Sequence, residues 1–180
     1  MDNEVQLIIL RGNSGSGKST TANALQKKFG YGTLLVSQDM VRREILYTLD
    51  GPDPAAGPLL LELVLYGKRH CKIVILEGIL NSKWYKPLFD AILKEFDDHI
   101  FAYYFDIPFD ETLSRHQHKP NAKDFGETEM KRWWNENDLL ESIPEISIQK
   151  DLSLDEVVDM IYQEVSTSSK ARSENDLSCT

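Results

Sequence analysis

Cysteine is nearly missing from this chain: among 180 residues only Cys71 and Cys179 are cysteines, one at the edge of an apolar run and one in a polar tail. Two isolated thiols build neither a disulfide framework nor a metal cluster, so stability has to come from an ordinary hydrophobic core. Excess positive charge is missing as well. The formal charge is −9, and gripping a long polyanion requires a basic surface that releases counterions, so an extended nucleic-acid footprint is not expected. No apolar run approaches the length that crosses a bilayer, and the acidic opening MDNEVQ lacks the basic start of a signal peptide. The expectation is a cytoplasmic protein with no membrane partner. What is there, 41% hydrophobic and 27% charged residues, suits one soluble domain large enough to bury a sheet between two helical layers.

The most informative stretch is Gly12-Asn13-Ser14-Gly15-Ser16-Gly17-Lys18-Ser19, the pattern G-x-x-x-x-G-K-S. It comes after an aliphatic, β-branched run (Val5 to Leu10) and precedes a helix-like segment, Thr20 to Phe29. A strand, a turn and a helix N-terminus are the setting in which this pattern binds phosphate. Gly12, Gly15 and Gly17 let the backbone curl until its N–H groups point inward, so a polyphosphate meets them at the positive end of the helix dipole. Lys18 is expected to reach the β- and γ-phosphates, and Ser19 to offer its hydroxyl to a bridging Mg2+. The nucleotide site therefore comprises Gly12, Asn13, Ser14, Gly15, Ser16, Gly17, Lys18, Ser19 and Thr20.

Strand-like and helix-like segments alternate along the rest of the chain, as in a parallel sheet covered on both faces. Strands are expected at 5–10, 33–36, 72–76, 100–105 and 145–148. The domain spans 1–165, and the Ser-rich, charged stretch 166–180 is expected to be disordered. Gly51 to Pro58 is a Pro/Gly loop before an almost wholly apolar helix, read either as a wall of the acceptor site or as a plain connector. Trp84 and Tyr85 precede the stripe Leu88, Phe89, Ile92, Leu93 and Phe96, and pack in the core or line a pocket.

Two acidic residues stand at strand ends, where ligands bind in open parallel sheets. Asp39 comes after the second strand, with Arg42, Ile45, Leu46 and Leu49 at helical spacing behind it. It reads as a helix cap, with Arg42 on the same side one turn on, or as a carboxylate that polarises an acceptor hydroxyl. Glu77 ends the third strand within Leu76-Glu77-Gly78, placed to orient Mg2+ through its water shell or to cap the next segment.

With its loop at 12–19 and Asp39-Met40-Val41-Arg42, the chain resembles the small P-loop kinases that phosphorylate hydroxyl groups, a group including phage polynucleotide 5′-kinase, chloramphenicol phosphotransferase and the zeta toxins. The resemblance covers roughly residues 5–165. It implies an α/β three-layer sandwich with a five-stranded parallel sheet in the order 2-3-1-4-5, ATP and Mg2+ as cofactors, and transfer of the γ-phosphoryl group. In that group the aspartate after the second strand activates the acceptor hydroxyl, and in polynucleotide kinases an arginine three residues on assists. Those roles fall on Asp39 and Arg42. The run Glu77-Gly78-Ile79-Leu80 resembles uridine and pantothenate kinases. Its glutamate departs from the aspartate of many relatives, so service to the metal or to the acceptor stays open.

Two helix-like segments joined by a basic turn, approximately 113–138, resemble the mobile lid of the nucleoside-monophosphate-kinase-like fold. From 115 to 132 there are five Lys/Arg against three Asp/Glu, the reverse of the chain as a whole. The resemblance implies an arginine closing over the transferred group, with Arg115 the first candidate and Arg132 the second, and a solvated charged face is the plain alternative. His116 and His118 fit no zinc spacing, and Trp133 and Trp134 are expected to anchor the lid helix. A guanine-nucleotide switch would carry Asn-Lys-x-Asp and Asp-x-x-Gly, and neither string occurs. The reading is an ATP-dependent kinase acting on a hydroxyl of a small metabolite, nucleoside or antibiotic. The alternatives are a polynucleotide 5′-hydroxyl kinase and a nucleotide-binding or nucleotide-hydrolysing regulator.

Overall fold

The computed structural model describes residues 5–117 and 126–178. Its five strands are β1 (Gln6–Gly12), β2 (Thr33–Ser37), β3 (Ile73–Gly78), β4 (Ile100–Asp106) and β5 (Glu145–Gln149). All pair in parallel, in the order β2-β3-β1-β4-β5. The central strands β1 and β3 form where β-branched and aliphatic residues run together, and β1 is buried along its whole length because it lies between two strands and two helical layers. Side chains alternate across it. Leu7 and Ile9 pack on one face with Leu60 and Val64 of α3 (Ala56–His70) and Phe89 and Ile92 of α4 (Lys86–Phe96). Ile8 and Leu10 pack on the other with Leu25 of α1 (Lys18–Phe29) and Ile161 and Val165 of α7 (Leu154–Ser178). Each such side chain, wholly withdrawn from water, contributes about 1.5–3 kcal/mol.

Register decides what meets at the carboxyl edge. Leu10 of β1 and Ser37 of β2 both stand abreast of Glu77 in β3. The glycine loop leaving β1 and the turn leaving β2 therefore begin on either side of one carboxylate.

The fold corrects two expectations. Asp39 is not the cap of the segment after β2: Ser37 takes that place, accepting from the Met40 N–H at 3.5 Å, and Asp39 lies in the first turn of α2 (Gln38–Met40). Nor does an α-helix carry the pattern of Arg42, Ile45, Leu46 and Leu49 on from there. Val41–Ile45 forms a wide π turn closed by Leu46 N–H donating to the Val41 carbonyl at 2.9 Å, a geometry often found at functional sites. Ile45, Leu46 and Leu49 are exposed; β2 is the edge of the sheet, and no neighbouring layer among the described residues reaches far enough to cover them. α7 continues as helix through the stretch expected to be disordered, as far as Ser178. No glycine or proline occurs from Leu154 to Thr180 to stop it. The turn of the expected lid, 118–125, including His118, and Cys179 lie outside the described residues. The flanking helices are α5 (Phe109–Gln117) and α6 (Glu127–Arg132).

One charged side chain is wholly buried in β1. Arg11 is 0% exposed and donates to Asp138 Oδ2 at 2.8 Å, to both oxygens of Glu145 at 2.9 Å, and to the Leu80 carbonyl at 2.9 and 3.0 Å. Its guanidinium also lies over the rings of Phe89 and Tyr104. Burial pushes the Glu145 carboxyl above its usual range, and Arg11 pulls it back. One cation thus fastens the strand before the glycine loop to the segment after β3, the chain returning after α6, and β5.

Candidate active site

The loop between β1 and α1 has the backbone its glycines permit. Gly12 and Gly15 take φ values of +139° and +82°, and a Cβ on either would come within 2.7 Å of a carbonyl oxygen, that of Phe105 or of Thr112. Any other residue would be strained twice over, by the dihedral and by the contact. Lys18 is buried, its Nζ donating to the Asn13 carbonyl at 2.7 Å and to Ser16 Oγ at 3.2 Å. The ammonium is held inside the loop whose amides would receive phosphate. Ser14 is half-buried, while Thr20 is exposed in the first turn of α1.

Asn13 faces elsewhere. Its Nδ2 donates to the Asn135 carbonyl at 2.7 Å and its Oδ1 accepts from the Asn135 N–H at 2.9 Å, so one amide side chain reads both backbone groups of a residue 122 positions away. In turn Asn135 Oδ1 accepts from Asn81 Nδ2 at 2.9 Å. Arg115 is brought to the loop: its Nη1 donates to the Ser16 carbonyl at 3.3 Å, and its Nε to Glu111 Oε1 at 2.7 Å. Arg132 is exposed and makes no hydrogen bond or ion pair among the described residues. Trp134 packs edge-on against Phe109 with ring centroids 5.1 Å apart, whereas Trp133 is exposed.

Glu77 is 5% exposed. It accepts from Ser19 Oγ at 3.1 Å and from Ser37 Oγ at 2.5 Å. These hard oxygen donors fit Mg2+, which keeps most of its water and takes few protein ligands. Ser19 would hold the ion directly and Glu77 would orient its waters. Across the strand ends, Asp39 pairs with Arg42 at 3.1 Å and with Arg43 at 3.5 Å, its side chain 65% exposed. Arg42 is mostly buried, and its Nε has no hydrogen-bond partner among the described residues.

The sequence reading missed a network that supports this segment. Gln38 is buried; its Nε2 donates to Asp50 Oδ2 and to the Tyr85 hydroxyl, each at 2.9 Å, and its Oε1 accepts from the Leu80 N–H at 3.0 Å. Tyr85 donates to Asp50 Oδ1 at 2.8 Å, and burial together with that carboxylate pushes its phenol well above the ordinary range. Of these residues only Tyr85 carried a signal, as an aromatic beside a core stripe, and it is indeed buried. Gln38 and Asp50 carried none, because nothing local distinguishes a buried amide from an exposed one.

A parallel sheet in this order, a glycine loop opening α1, and a buried carboxylate of β3 against the loop's serine define a P-loop nucleotide-binding fold. The chain belongs to the AAA domain family, whose model matches residues 7–136. No curated protein sequence matches it. Solved structures share the fold at low identity. The APS kinase CysC of Mycobacterium tuberculosis, solved with AMPPNP and APS, is 19% identical with a TM-score of 0.65, over 89% of this chain and 96% of that one. A gluconokinase from Sinorhizobium meliloti is 12% identical with a TM-score of 0.60, over 96% and 98%. The tunicamycin resistance protein of Deinococcus radiodurans is 19% identical with a TM-score of 0.59, over 89% and 95%.

Proposed function

We propose that the chain is an ATP-dependent, cytoplasmic kinase that transfers the γ-phosphoryl group to a hydroxyl of a small molecule. The observation that carries this reading is the chain of contacts Ser19–Glu77–Ser37, which ties the phosphate loop to the strand end bearing Asp39 and Arg42. A nucleotide site alone needs no such second half. Kinases of APS and gluconate among the structures of the same fold support it, as does the likeness of Asp39-x-x-Arg42 to the acceptor site of polynucleotide-type kinases. The net charge of −9 favours a small acceptor over a long nucleic acid.

On this reading each residue takes a distinct role. Loop amides and Lys18 would hold the β- and γ-phosphates, and Ser19 with Glu77 would hold Mg2+, whose charge would offset the negative charge of the phosphates. Glu77 has each oxygen engaged by a hydroxyl, whereas Asp39 is open to solvent on one side. Asp39 is therefore the better general base for the acceptor proton. Arg42, with a buried Nε in want of an oxygen, holds the acceptor or its incoming phosphate. Arg115, with Arg132 the second candidate, would close over the transferred group as part of a lid.

Asp39→Asn tests this assignment. Asparagine keeps the size but lacks the basic oxygen, and since Ser37 supplies the cap, stability and ATP affinity should stay close to the parent. Transfer from labelled ATP to the best acceptor in a panel of hydroxyl compounds should fall by roughly a hundredfold. Near-parental transfer would remove Asp39 from the role and leave Glu77 as the base. For Arg115→Ala, kcat should fall by about two orders of magnitude while nucleotide affinity changes little, as for a group recruited in the transition state. Loss of melting temperature alone would make Arg115 a partner of Glu111 and nothing more.

A further inference from the structure

We propose that Ser37 is a positioning residue of the divalent-cation site, holding Glu77 from the acceptor side as Ser19 holds it from the nucleotide side. The inference rests on the proposed function, in which a metal-bound nucleotide occupies the loop. Ser37 stands abreast of Glu77 in the β2–β3 ladder, so its hydroxyl reaches the carboxylate without any loop between them. A serine hydroxyl has one proton and two lone pairs. Ser37 directs its proton to Glu77 Oε1 at 2.5 Å, the short distance expected of a hydroxyl on a carboxylate, and Ser19 directs its proton to Oε2 at 3.1 Å. A buried carboxylate gripped at one oxygen can still turn about its last torsion. Gripped at both, it cannot turn without breaking a bond.

The protons' direction has a chemical consequence. Both Oγ atoms turn hydrogen toward Glu77 and leave only lone pairs for anything else. The cluster therefore offers hard oxygen acceptors, the polarity that the waters of a hydrated divalent cation need. Ser37 is itself fixed from its other neighbour, because Gln38 is buried and bonded to Asp50, Tyr85 and the Leu80 N–H. Its Oγ also accepts from Met40 N–H at 3.5 Å, at the start of the turn that carries Asp39. One hydroxyl thus sets the metal-orienting carboxylate and the first turn of the acceptor segment in a common frame.

The test compares the parent with Ser37→Ala, Ser37→Cys and Ser37→Thr, using AMPPNP and a metal as probes. Calorimetry measures AMPPNP affinity with Mg2+ and with chelator, and electron paramagnetic resonance measures Mn2+ binding to the AMPPNP complex. Ser37→Ala and Ser37→Cys should weaken Mn2+ binding about tenfold, the usual effect of removing an outer-shell partner. Their metal-free AMPPNP affinity should match the parent, and Ser37→Thr should restore the metal. Cysteine keeps the side-chain volume, so it reports even where alanine fails to fold. If the parent responds to Mg2+ and either loss variant binds Mn2+ as tightly as the parent, the proposal is overturned alone. If AMPPNP affinity in the parent is indifferent to Mg2+, the nucleotide reading falls and takes this proposal with it.

Discussion

Lys18→Ala is expected to abolish phosphoryl transfer, lowering turnover by roughly a thousandfold or more, with weakened nucleotide binding besides. The geometry explains the size of the effect. Lys18 is the one side-chain cation the glycine loop itself brings to the site, and it is already buried, held by the Asn13 carbonyl and Ser16 Oγ. A cation in this position is largely desolvated before the ligand arrives, so little reorganisation is left when charge shifts between the phosphates. Alanine leaves the loop's amides in place, and they still bind phosphate, so residual nucleotide affinity should survive while transfer does not. Lys18→Arg separates charge from shape: its planar fork is too bulky for the loop and should rescue poorly. Isothermal titration with AMPPNP and a labelled-ATP assay measure the two quantities. Unchanged ATP-dependent phosphorylation in Lys18→Ala would end the kinase reading altogether.

The second large effect is on stability. Arg11→Ala should destabilise the fold by about 3–5 kcal/mol, the usual result of removing one partner from a buried ionic group. Two carboxylates, Asp138 and Glu145, would be left facing each other with no cation, and the Leu80 carbonyl would lose its donor. Arg11→Met isolates the charge, since it fills much of the same space beside Phe89 and Tyr104. It should cost nearly as much as alanine at neutral pH. Urea unfolding of the variants decides the matter; a loss below about 1 kcal/mol in both would mean that the carboxylates find water or each other's proton at little cost.

What the sequence made legible was whatever had a local signature. β1 and β3 announced themselves as aliphatic runs, the loop by its spacing, and Glu77 by ending a buried strand, while β5, short and alternating, carried the weakest signal of the five. Arg115 was legible as a basic residue on a helix, and it does reach Ser16. Features that depend on distant partners were not. Arg11 carried no signal, because its partners lie 127 and 134 residues away. Ser37 and Asp39 are both good caps, and sequence preference cannot say which backbone turn closes first. The apolar residues from Ile45 to Leu49 match a helical period, but a period becomes a helix face only where another surface stands opposite. Among the described residues, none does.

The contacts of the glycine loop also constrain mechanics. Gly15 rests against the Thr112 carbonyl, and Asn13 holds the backbone of Asn135. One contact lies within α5 and the other just beyond α6, so both helices are tied to the element that would grasp phosphate. A shift of the loop would be felt at both contacts at once, at the Thr112 carbonyl and at the Asn135 backbone. A ligand settling in the loop would therefore press directly on the body of α5 and on the chain just beyond α6, with no intermediary between them.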